Sequence, residues 1–323
     1  MMISNKLPES LGFINRFRKY EGNPILRPHP GTPGADCIFN PGAAVSPDGK
    51  TVMMLCRCID FDERAEGNNW SVSTLTWARS TDGVNFTLDK ESFLKPDTES
   101  PYKGGFEDPR LVWIPDEKLY MLTYTGVLDA CHTPGMAALS ADLEHWDFLG
   151  EIFPARAAAV TNRRIMGKYY AYYGNSGINI AWSDDLRVWH TDYETVLKPR
   201  GGYFDSILCE PACAPVINDD GILLIYNGSA GGEYKHKLSR GIYRFREEVD
   251  DYCYSIGWAL FDRKDPRRLI ARADTPFIYP EHAYELYGIS EYTTFGEGIV
   301  KFRGNHYLYY GCSDTRIAVA IAE

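Results

Sequence analysis

Short apolar runs separated by Gly, Pro, Asn and Asp recur along the whole chain, and no segment carries apolar residues at helical spacing for three or more turns. This pattern is typical of β-strands joined by turns. One kind of run is rich in aliphatic and tyrosine residues and follows a turn-forming pair such as Asp48-Gly49. Its copies are residues 51–56, 119–124, 168–173, 222–226 and 306–310.

A second kind of run follows most of these, with small apolar residues that lead into a Ser-Asp turn. Its copies are residues 77–83, 138–143, 181–186, 258–262 and 317–321, the last two diverged. The two kinds form five imperfect hairpin units at the period of four-stranded blades with inserted loops. We predict an all-β fold, a five-bladed β-propeller. No Pro/Gly/Ser-rich linker divides the chain, so we predict a single domain that spans residues 1–323, with 1–20 as an N-terminal extension. Two β domains are the alternative.

Net charge and composition limit the classes of partner that the protein is expected to bind. The 323 residues carry a net charge of −10 with scattered basic residues, which disfavours nucleic acid and anionic membranes. No run approaches the ~20 apolar residues of a membrane span, and the N-terminus lacks the apolar core of a secretory signal. The 8 cysteines form no Cys-x-x-Cys pair, so we interpret them as buried thiols in a reducing compartment and expect a cytoplasmic protein.

Residues 104–111, Gly-Gly-Phe-Glu-Asp-Pro-Arg-Leu, concentrate charged groups at the start of a strand. Pro109 favours an extended Asp108, so we expect Glu107 and Asp108 to point to opposite faces and to have different roles. Arg110 would share a face with Asp108. The alternative is an ion-paired turn without function.

Inner strands of a propeller converge on one central pocket, which the loops leaving them should line. Carboxylates dominate these loops, whereas Ser-His-Asp order, Gly-x-Ser-x-Gly and metal-binding His spacing do not occur. Hydrolysis by two carboxylates is therefore the chemistry best supported, with no metal or cofactor. The candidate residues are Asn40, Arg57, Asp60, Glu107, Asp108, Arg110, Arg156, Glu210, Asn227, Tyr254, Glu297 and Asp314.

Longer motifs occur in order along the chain: residues 39–44, 78–83, 105–110, 123–125, 167–170, 259–262, 265–266 and 309–314, with Arg57 between the first two. Together they resemble glycoside hydrolase family 130, five-bladed propellers that include mannoside phosphorylases and β-mannosidases. The resemblance implies that Asp108 is the general acid, acting through a hydroxyl of bound mannose, and that Asn40, Arg57 and Asp314 hold the ring. Since a carboxyl paired with Arg110 would be too acidic to hold a proton, we expect Arg110 to point elsewhere or Asp108 to be desolvated.

The second reactant divides that family, because its phosphorylases need a cluster of cations for phosphate. Arg156 is retained here, but Ala157 follows it, and the His-Arg pair of the phosphorylases falls on residues 173–174, which are Tyr-Gly. Their Lys falls near Leu208, and their His falls on Asn227.

Acidic residues, Glu210 and Glu297, stand in this region instead. They would repel phosphate and could deprotonate a water. The resemblance thus favours the branch that hydrolyses β-1,2-linked mannosides with inversion, with Asp108 as acid and Glu210 or Glu297 as base.

Other hypotheses stay open. The protein could be an inverting phosphorylase that releases mannose 1-phosphate, or a non-catalytic propeller that binds sugar. Glu297 could cap a strand end, Glu210 could be a solvated loop charge, and Tyr254 could belong to the core. We interpret Trp146 and Trp189 as blade packing. The expected partner is a mannose-containing oligosaccharide, whose linkage would depend on residues 62–69, 131–135 and 231–240; homo-oligomerisation is open.

Overall fold

The computed structural model describes residues 3–64, 71–231 and 253–323. Helices in these ranges are the 3₁₀ helix Glu9–Arg16 and the α-helix Ala283–Leu286. Neither has the length and apolar character to cross a membrane. The predicted all-β class is confirmed, and the curled sheets give a propeller-like fold.

The strands in the described part of the chain are numbered in order. They are β1 (Arg18–Lys19), β2 (Cys37–Val45), β3 (Val52–Arg64), β4 (Ser71–Ser80), β5 (Thr87–Leu88), β6 (Gly105–Ile114), β7 (Leu119–Val127), β8 (Gly135–Ser140), β9 (Asp147–Phe153), β10 (Ala158–Val160), β11 (Tyr169–Tyr173), β12 (Ile178–Ser183), β13 (Trp189–Leu197), β14 (Leu208–Pro211), β15 (Val216–Asn218), β16 (Gly221–Ala230), β17 (Cys253–Asp262), β18 (Asp265–Arg272), β19 (Thr294–Phe302), β20 (Asn305–Cys312) and β21 (Arg316–Ala322).

Sequential antiparallel pairing dominates these strands. The sheet orders are β10-β11-β12-β13, then β14-β16-β17-β18 with β15 beside β16, and β1-β21-β20-β19. The remaining strands run β2-β3-β4-β6-β7-β8-β9, with β5 beside β4. Within this last sheet β4 meets β6 in parallel at Ser73 and Gly105, which joins two antiparallel meanders.

Both kinds of predicted run lie where the sequence placed them. The aliphatic and tyrosine runs fall in β3, β7, β11, β16 and β20, and the small apolar runs fall in β4, β8, β12, β17 and β21. Each pair forms an antiparallel hairpin, for example Leu122 opposite Ala138 and Leu308 opposite Ala320.

The Ser-Asp turns after β4, β8 and β12 share one hydrogen-bond pattern. In the β8 turn, Ser140 Oγ accepts from the amides of Asp142 and Leu143, and Asp142 accepts from the amides at 144 and 145. Ser80 and Ser183 repeat the arrangement in the other two turns. The sequence repeat therefore reflects a repeated structural unit.

The first strands of the meanders pack against one another at the centre, where β2 contacts β6 and β19. Gly42 is required there, because a Cβ on it would lie 2.4 Å from the carbonyl oxygen of Pro109. The N-terminal segment is also part of the body: Leu11 and Ile14 are buried, and β1 pairs with β21 through Lys19 opposite Ala320.

Candidate active site

Three of the predicted site residues occupy the same position in different meanders. Asn40, Asp108 and Glu297 are each the fourth residue of their strand, β2, β6 and β19. The ladder register shifts at each of them, so each lies in a β-bulge. A bulge releases a residue from the alternation of faces and re-aims its side chain. Asn40 and Asp108 are also left-handed, with φ of 44° and 51°.

Asp108 is held by an amide and two guanidinium groups. Oδ1 accepts from Asn40 Nδ2 at 2.9 Å and from Arg57 Nη1 at 3.0 Å, while Oδ2 accepts from Arg156 Nη2 at 2.6 Å. Burial works to raise the pKa of Asp108, but the positive charges of Arg57 and Arg156 outweigh it and hold the pKa well below its usual range. The carboxylate is therefore ionised before a substrate binds.

Glu107 joins the same cluster, so the expectation that Glu107 and Asp108 point to opposite faces is wrong. Its carboxylate accepts from Arg57 Nη2 through one oxygen and from Arg156 Nη2 at 2.5 Å through the other. The reason is local geometry: Asp108 is left-handed and sits in the bulge, which breaks the alternation of an extended strand. Arg156 is thus paired with both carboxylates.

Arg110 points away from the Asp108 carboxylate, the first of the two alternatives expected from the sequence. Its Nη1 donates to the backbone oxygen of Asp108 at 2.9 Å, and its Nε donates to the backbone oxygens of Pro211 and Ala212. Nη2 donates to Glu210 Oε1 at 3.1 Å and lies 3.2 Å from Glu297 Oε1. Arg110 therefore joins β6 to β14 and neutralises part of the charge on the two glutamates.

Glu210 and Glu297 form a buried carboxylate pair beside Asp108. Oxygens of Asp108, Glu210 and Glu297 lie within 4.8 Å of one another. Burial raises the pKa of Glu210 despite Arg110, and it raises the pKa of Glu297 well above its ordinary value. Both Glu297 oxygens lack a hydrogen-bond partner. Hard cations prefer such oxygens, but the guanidinium groups of Arg57, Arg110 and Arg156 already supply the positive charge next to them.

Asp314 and Tyr254 complete the cluster. Burial, together with the charges of Asp108 and Glu107, raises the pKa of Asp314 to about 7, although Arg57 opposes the shift. Burial and the charges of Glu210 and Asp314 raise the pKa of Tyr254 to about 12. Both residues lie near the cluster in the fold: the turn that carries Asp314 is bonded to β2, where the Ile38 amide donates to the Thr315 oxygen at 3.2 Å, and Tyr254 lies on β17, beside the strand β16 that pairs with Glu210.

Negative charge exceeds positive charge in this cluster. The carboxylates of Glu107, Asp108, Glu210, Glu297 and Asp314 meet the guanidinium groups of Arg57, Arg110 and Arg156. Burial is the main cause of the raised pKa values of Glu297 and Asp314, and the excess of two negative charges that full ionisation would leave adds to it. The site can hold protons, and it opposes the entry of an anion.

Two of the predicted site residues serve the backbone instead. Asn227, expected to bind substrate, uses both ends of its amide on Gly296: its Oδ1 accepts from the amide at 2.8 Å and its Nδ2 donates to the carbonyl at 3.0 Å. It holds the bulge that carries Glu297. Asp60 accepts from the amide of Ala35 and anchors the segment before β2. In an extended strand Asp60 faces away from Arg57, which explains why it does not join the cluster.

Ser73 and Gly311 were missed by the sequence analysis. Ser73 Oγ accepts from Arg57 Nε at 3.0 Å and so orients that guanidinium group. A Cβ on Gly311 would lie 2.2 Å from Asn40 Oδ1, so only glycine leaves room for Asn40. Gly311 fell inside a motif used for the resemblance, but Ser73 had no signal because its partner lies on the neighbouring strand.

A cleft opens beside Arg156. Its lining includes residues 131–134, Glu151, Asn175 and Thr191. Most of the segment 131–135 therefore lines this cleft, and its role in the choice of linkage stays a prediction. Of the other two segments named, 65–69 and 232–240 lie outside the described residues. Arg156 Nε and Asn40 Oδ1 are buried without a hydrogen-bond partner, so they remain for a ligand.

Both tryptophans interpreted as packing are indeed packed between strands. Trp146 stacks on Trp77 at 6.2 Å between ring centres, and Trp189 lies 5.2 Å from Phe153. Seven of the eight cysteines are buried, and Cys131 is exposed. The tryptophans and the seven buried cysteines belong to the core, whereas the expectation of a buried thiol is wrong for Cys131, which lies in the surface loop between β7 and β8.

Comparison with known proteins identifies the family of this chain. The model of glycoside hydrolase family 130, described as β-1,4-mannooligosaccharide phosphorylase, matches residues 8–323. A 1,2-β-oligomannan phosphorylase of Thermoanaerobacter sp. is 30% identical over 291 residues, which cover 88% of this chain and 90% of the relative. A β-1,2-mannobiose phosphorylase of the same organism is 33% identical over 303 residues, with 89% and 90% covered.

One solved structure has a TM-score of 0.85 at 28% identity, covering 98% of this chain and 96% of the other. The description of that structure says that the GH130 family of mannoside phosphorylases contains glycoside hydrolases that target β-1,2 mannosidic linkages in Candida mannan. The chain belongs to glycoside hydrolase family 130, and the resemblance seen in its motifs is confirmed.

Proposed function

We propose that this protein cleaves the β-mannosidic bond of β-1,2-linked manno-oligosaccharides with inversion, that Asp108 supplies the proton, and that water receives the mannosyl group. The fold we propose for it is one domain of five blades, in which the β2–β9 sheet counts as two. The cluster of Asp108, Glu210 and Glu297 at the centre carries the proposal. The relatives' names support the β-1,2 linkage.

Proton delivery must begin from an ionised Asp108, since Arg57 and Arg156 lower its pKa. A mannose hydroxyl placed against Asp108 would displace these guanidinium groups from the carboxylate, which would then take up a proton. The hydroxyl would pass its own proton to the leaving oxygen as it receives the proton of Asp108, and Asn40, Arg57 and Asp314 would hold the ring. This relay and direct protonation by Asp108 both require its pKa to rise towards the working pH once the substrate is bound.

Water is our choice of acceptor because of the charge in the site. Phosphate is a dianion near neutral pH and would have to approach Glu210 and Glu297, while Arg110 and Arg156 are already paired with carboxylates. A carboxylate is suited to activate water in an inverting hydrolase. Oxygens of Asp108, Glu210 and Glu297 lie within 4.8 Å of one another, closer than the about 6.5–9.5 Å of a direct acid–base pair, so inversion here needs the proton to pass through the mannose hydroxyl. Glu210, which accepts a hydrogen bond from Arg110, and Glu297, which accepts none, are both candidates for the base.

Phosphorolysis is the second candidate, and the curated relatives favour it. Both relatives named above are phosphorylases, and the family model carries the same description. In that case phosphate would displace Glu107 or Asp108 from Arg156. Mannose 1-phosphate would then be the product.

One assay separates the two acceptors. The purified protein is incubated with β-1,2-mannobiose, with and without inorganic phosphate, and products are followed by chromatography. We expect mannose in both cases and no dependence on phosphate. Mannose 1-phosphate that forms only with phosphate would replace hydrolysis by phosphorolysis.

Asp108→Asn tests whether the protein is an enzyme at all. We expect cleavage to fall by at least ~10³-fold, while calorimetry still detects mannobiose binding. Glu117→Gln, a carboxylate that accepts from Tyr169 at the periphery, is the matched control and should keep the wild-type rate. Binding by the wild type without any cleavage would leave a sugar-binding propeller.

A further inference from the structure

A fully buried carboxylate, Glu285, lies outside the charged cluster on the helix Ala283–Leu286. Its Oε2 accepts from Lys19 Nζ at 2.8 Å and from the amides of Glu281 and His282 at 2.8 and 2.9 Å. Its Oε1 accepts from the Tyr310 hydroxyl at 3.0 Å. A buried carboxylate that accepts this many hydrogen bonds holds together the segments that carry the donors.

The donors come from different elements around one turn. Lys19 ends β1, which pairs with β21, and Tyr310 lies on β20. The amides belong to the segment that precedes β19. The turn between β20 and β21 carries Asp314, so Glu285 connects the elements on either side of a site residue.

The residue before Asp314 is bound to the same segment. Ser313 Oγ donates to the backbone oxygen of Glu285 at 2.6 Å, and the Ser313 amide donates to the oxygen of Thr293 at 3.0 Å. The Ser290 amide donates to the Ser313 oxygen at 3.3 Å. Ser313 is fully buried, so its backbone and side chain are both fixed from residues 285–293.

This anchoring offsets local strain. Ser313 and Asp314 are consecutive left-handed residues, with φ of 47° and 50°, and neither is glycine. Such conformations cost energy and persist only where the surroundings enforce them. The turn is also held against β2, since the Ile38 amide donates to the Thr315 oxygen at 3.2 Å and Gly311 lies against Asn40, so Asp314 is kept beside the cluster that contains Asn40.

We propose that Glu285 is a positioning residue of the active site: with Lys19, Tyr310 and Ser313 it forms a clasp that presses residues 281–293 onto the β20–β21 turn and thereby aims Asp314 at the substrate. The inference rests on the proposed function for the role of Asp314 in holding mannose. The clasp also links the site to β1, because Lys19 belongs to the strand that pairs with β21.

Glu285→Gln tests the clasp by replacing an oxygen that accepts from Lys19 with an amide that donates. We expect KM for β-1,2-mannobiose to rise about tenfold and kcat to change less than about twofold, since Asp314 would contact the sugar in ground and transition states alike. Lys19→Met should act in the same direction, and Lys19→Arg should restore most of the affinity. Equal loss of kcat and kcat/KM would contradict the proposal.

A double-variant cycle separates positioning from general stability. In an Asp314→Asn background the clasp has nothing left to aim, so adding Glu285→Gln should leave KM unchanged. If the two losses multiply, Glu285 acts independently of Asp314 and the proposal fails. Glu117→Gln serves again as the control, with an unchanged KM in both backgrounds.

A readout without turnover keeps this test distinct from that of the proposed function. The carboxyl carbon of Asp314, assigned by its loss in Asp314→Asn, is titrated by NMR in the wild type and in Glu285→Gln. We expect its pKa to move down toward the ordinary value, because a loosened turn lets water reach the carboxylate; Arg57, Asp108, Glu107, Arg156, Tyr254 and Cys37 face it and are unchanged in all variants. Should Glu285→Gln fail to fold, Ser313→Ala is the substitute.

Failure of the clasp and failure of the proposed function give different results. A wild type that cleaves no mannoside, combined with a lowered Asp314 pKa in Glu285→Gln, would overturn the proposed function and support the clasp. An unchanged Asp314 titration would overturn the clasp, whatever the activity.

Discussion

The ionisation of Asp314, a single residue of the site, lowers the stability of the folded protein as pH rises. Its pKa in the folded protein is raised to about 7 by burial and by Asp108 and Glu107. In the unfolded chain its pKa is that of an ordinary aspartate, about 4, so the folded state binds the extra proton between about pH 4 and pH 7. Stability contributed by this group is therefore present at low pH and is lost as pH rises through 7.

We predict that Asp314→Asn stabilises the protein at pH 8 and does so much less at pH 5. The gain at pH 8 should be about 1–2 kcal/mol, below the full value of the shift because Asp314 is partly exposed and the neutral amide also needs partners. Urea unfolding of variant and wild type at both pH values measures it. An equal effect at pH 5 and pH 8 would contradict the assignment of the raised pKa.

Asp82 provides a control of opposite sign. Its pKa is lowered, because hydrogen bonds from Asn85, from the amides of the turn and from Ser80 outweigh its desolvation. Its contribution is present above the unfolded pKa and is lost only as pH falls through the folded value. Asp82→Asn should therefore destabilise the protein equally at pH 5 and pH 8.

The role of a site residue could be predicted where a sequence motif indicates its chemistry. It could be predicted less well where the role depends on backbone geometry or on a distant partner. Carboxylates beside glycines and proline in 104–111 indicated Asp108. The position of Glu107 depended on the left-handed conformation of Asp108, which no local pattern reveals. Asn227 was misassigned because its partner, Gly296, lies on another strand and far away in sequence.

Among the structural elements, the β-bulges could not be predicted from the sequence. Strands and Ser-Asp turns follow from alternation and turn chemistry, which are local. The bulges at Asn40, Asp108 and Glu297 arise where neighbouring strands pack. Pro follows Asn40 and Asp108 and glycines flank Glu297, which favours irregular backbone without fixing it. That they recur at the fourth residue of their strands suggests that one structural device was reused to build the site.

We predict that Asn227→Ala loosens the bulge of Glu297. The change leaves the amide and carbonyl of Gly296 without partners in a buried position, which should cost about 2–3 kcal/mol of unfolding free energy. Catalysis should fall as well, since Glu297 lies next to Gly296. Urea unfolding and the mannobiose assay measure the two effects.

Asn218→Ala is the matched control, because Asn218 accepts from the amide of Asp220 in a peripheral turn. It should lower stability by less than about 1 kcal/mol and leave the rate unchanged. If Asn227→Ala lost stability but kept the wild-type rate, the position of Glu297 would not depend on this amide, or Glu297 would not take part in catalysis.

The whole molecule is closed by its N-terminal segment. The sequence indicated one all-β body but treated residues 1–20 as an extension, since the two residues of β1 are too short for an alternating pattern. Closure is a long-range pairing between the first and last strands, so it depends on overall geometry rather than on local sequence. Arg18 pairs with Ile321 and Lys19 with Ala320.

We predict that deleting residues 1–20 severely destabilises the protein, whereas deleting residues 1–7 costs much less. The longer deletion removes the buried side chains of Leu11, Ile14 and Phe17, each worth about 1.5–3 kcal/mol, and it uncovers the edge of β21. The loss of unfolding free energy should therefore exceed about 5 kcal/mol, seen as a lower urea midpoint or as aggregation.

A synthetic peptide of residues 3–22 should restore the midpoint and, because it returns Lys19 to Glu285, the affinity for mannobiose. Equal midpoints for the two deletions would show that β21 needs no partner on that edge. Restored stability without restored affinity would mean that closure and the aim of Asp314 are separate.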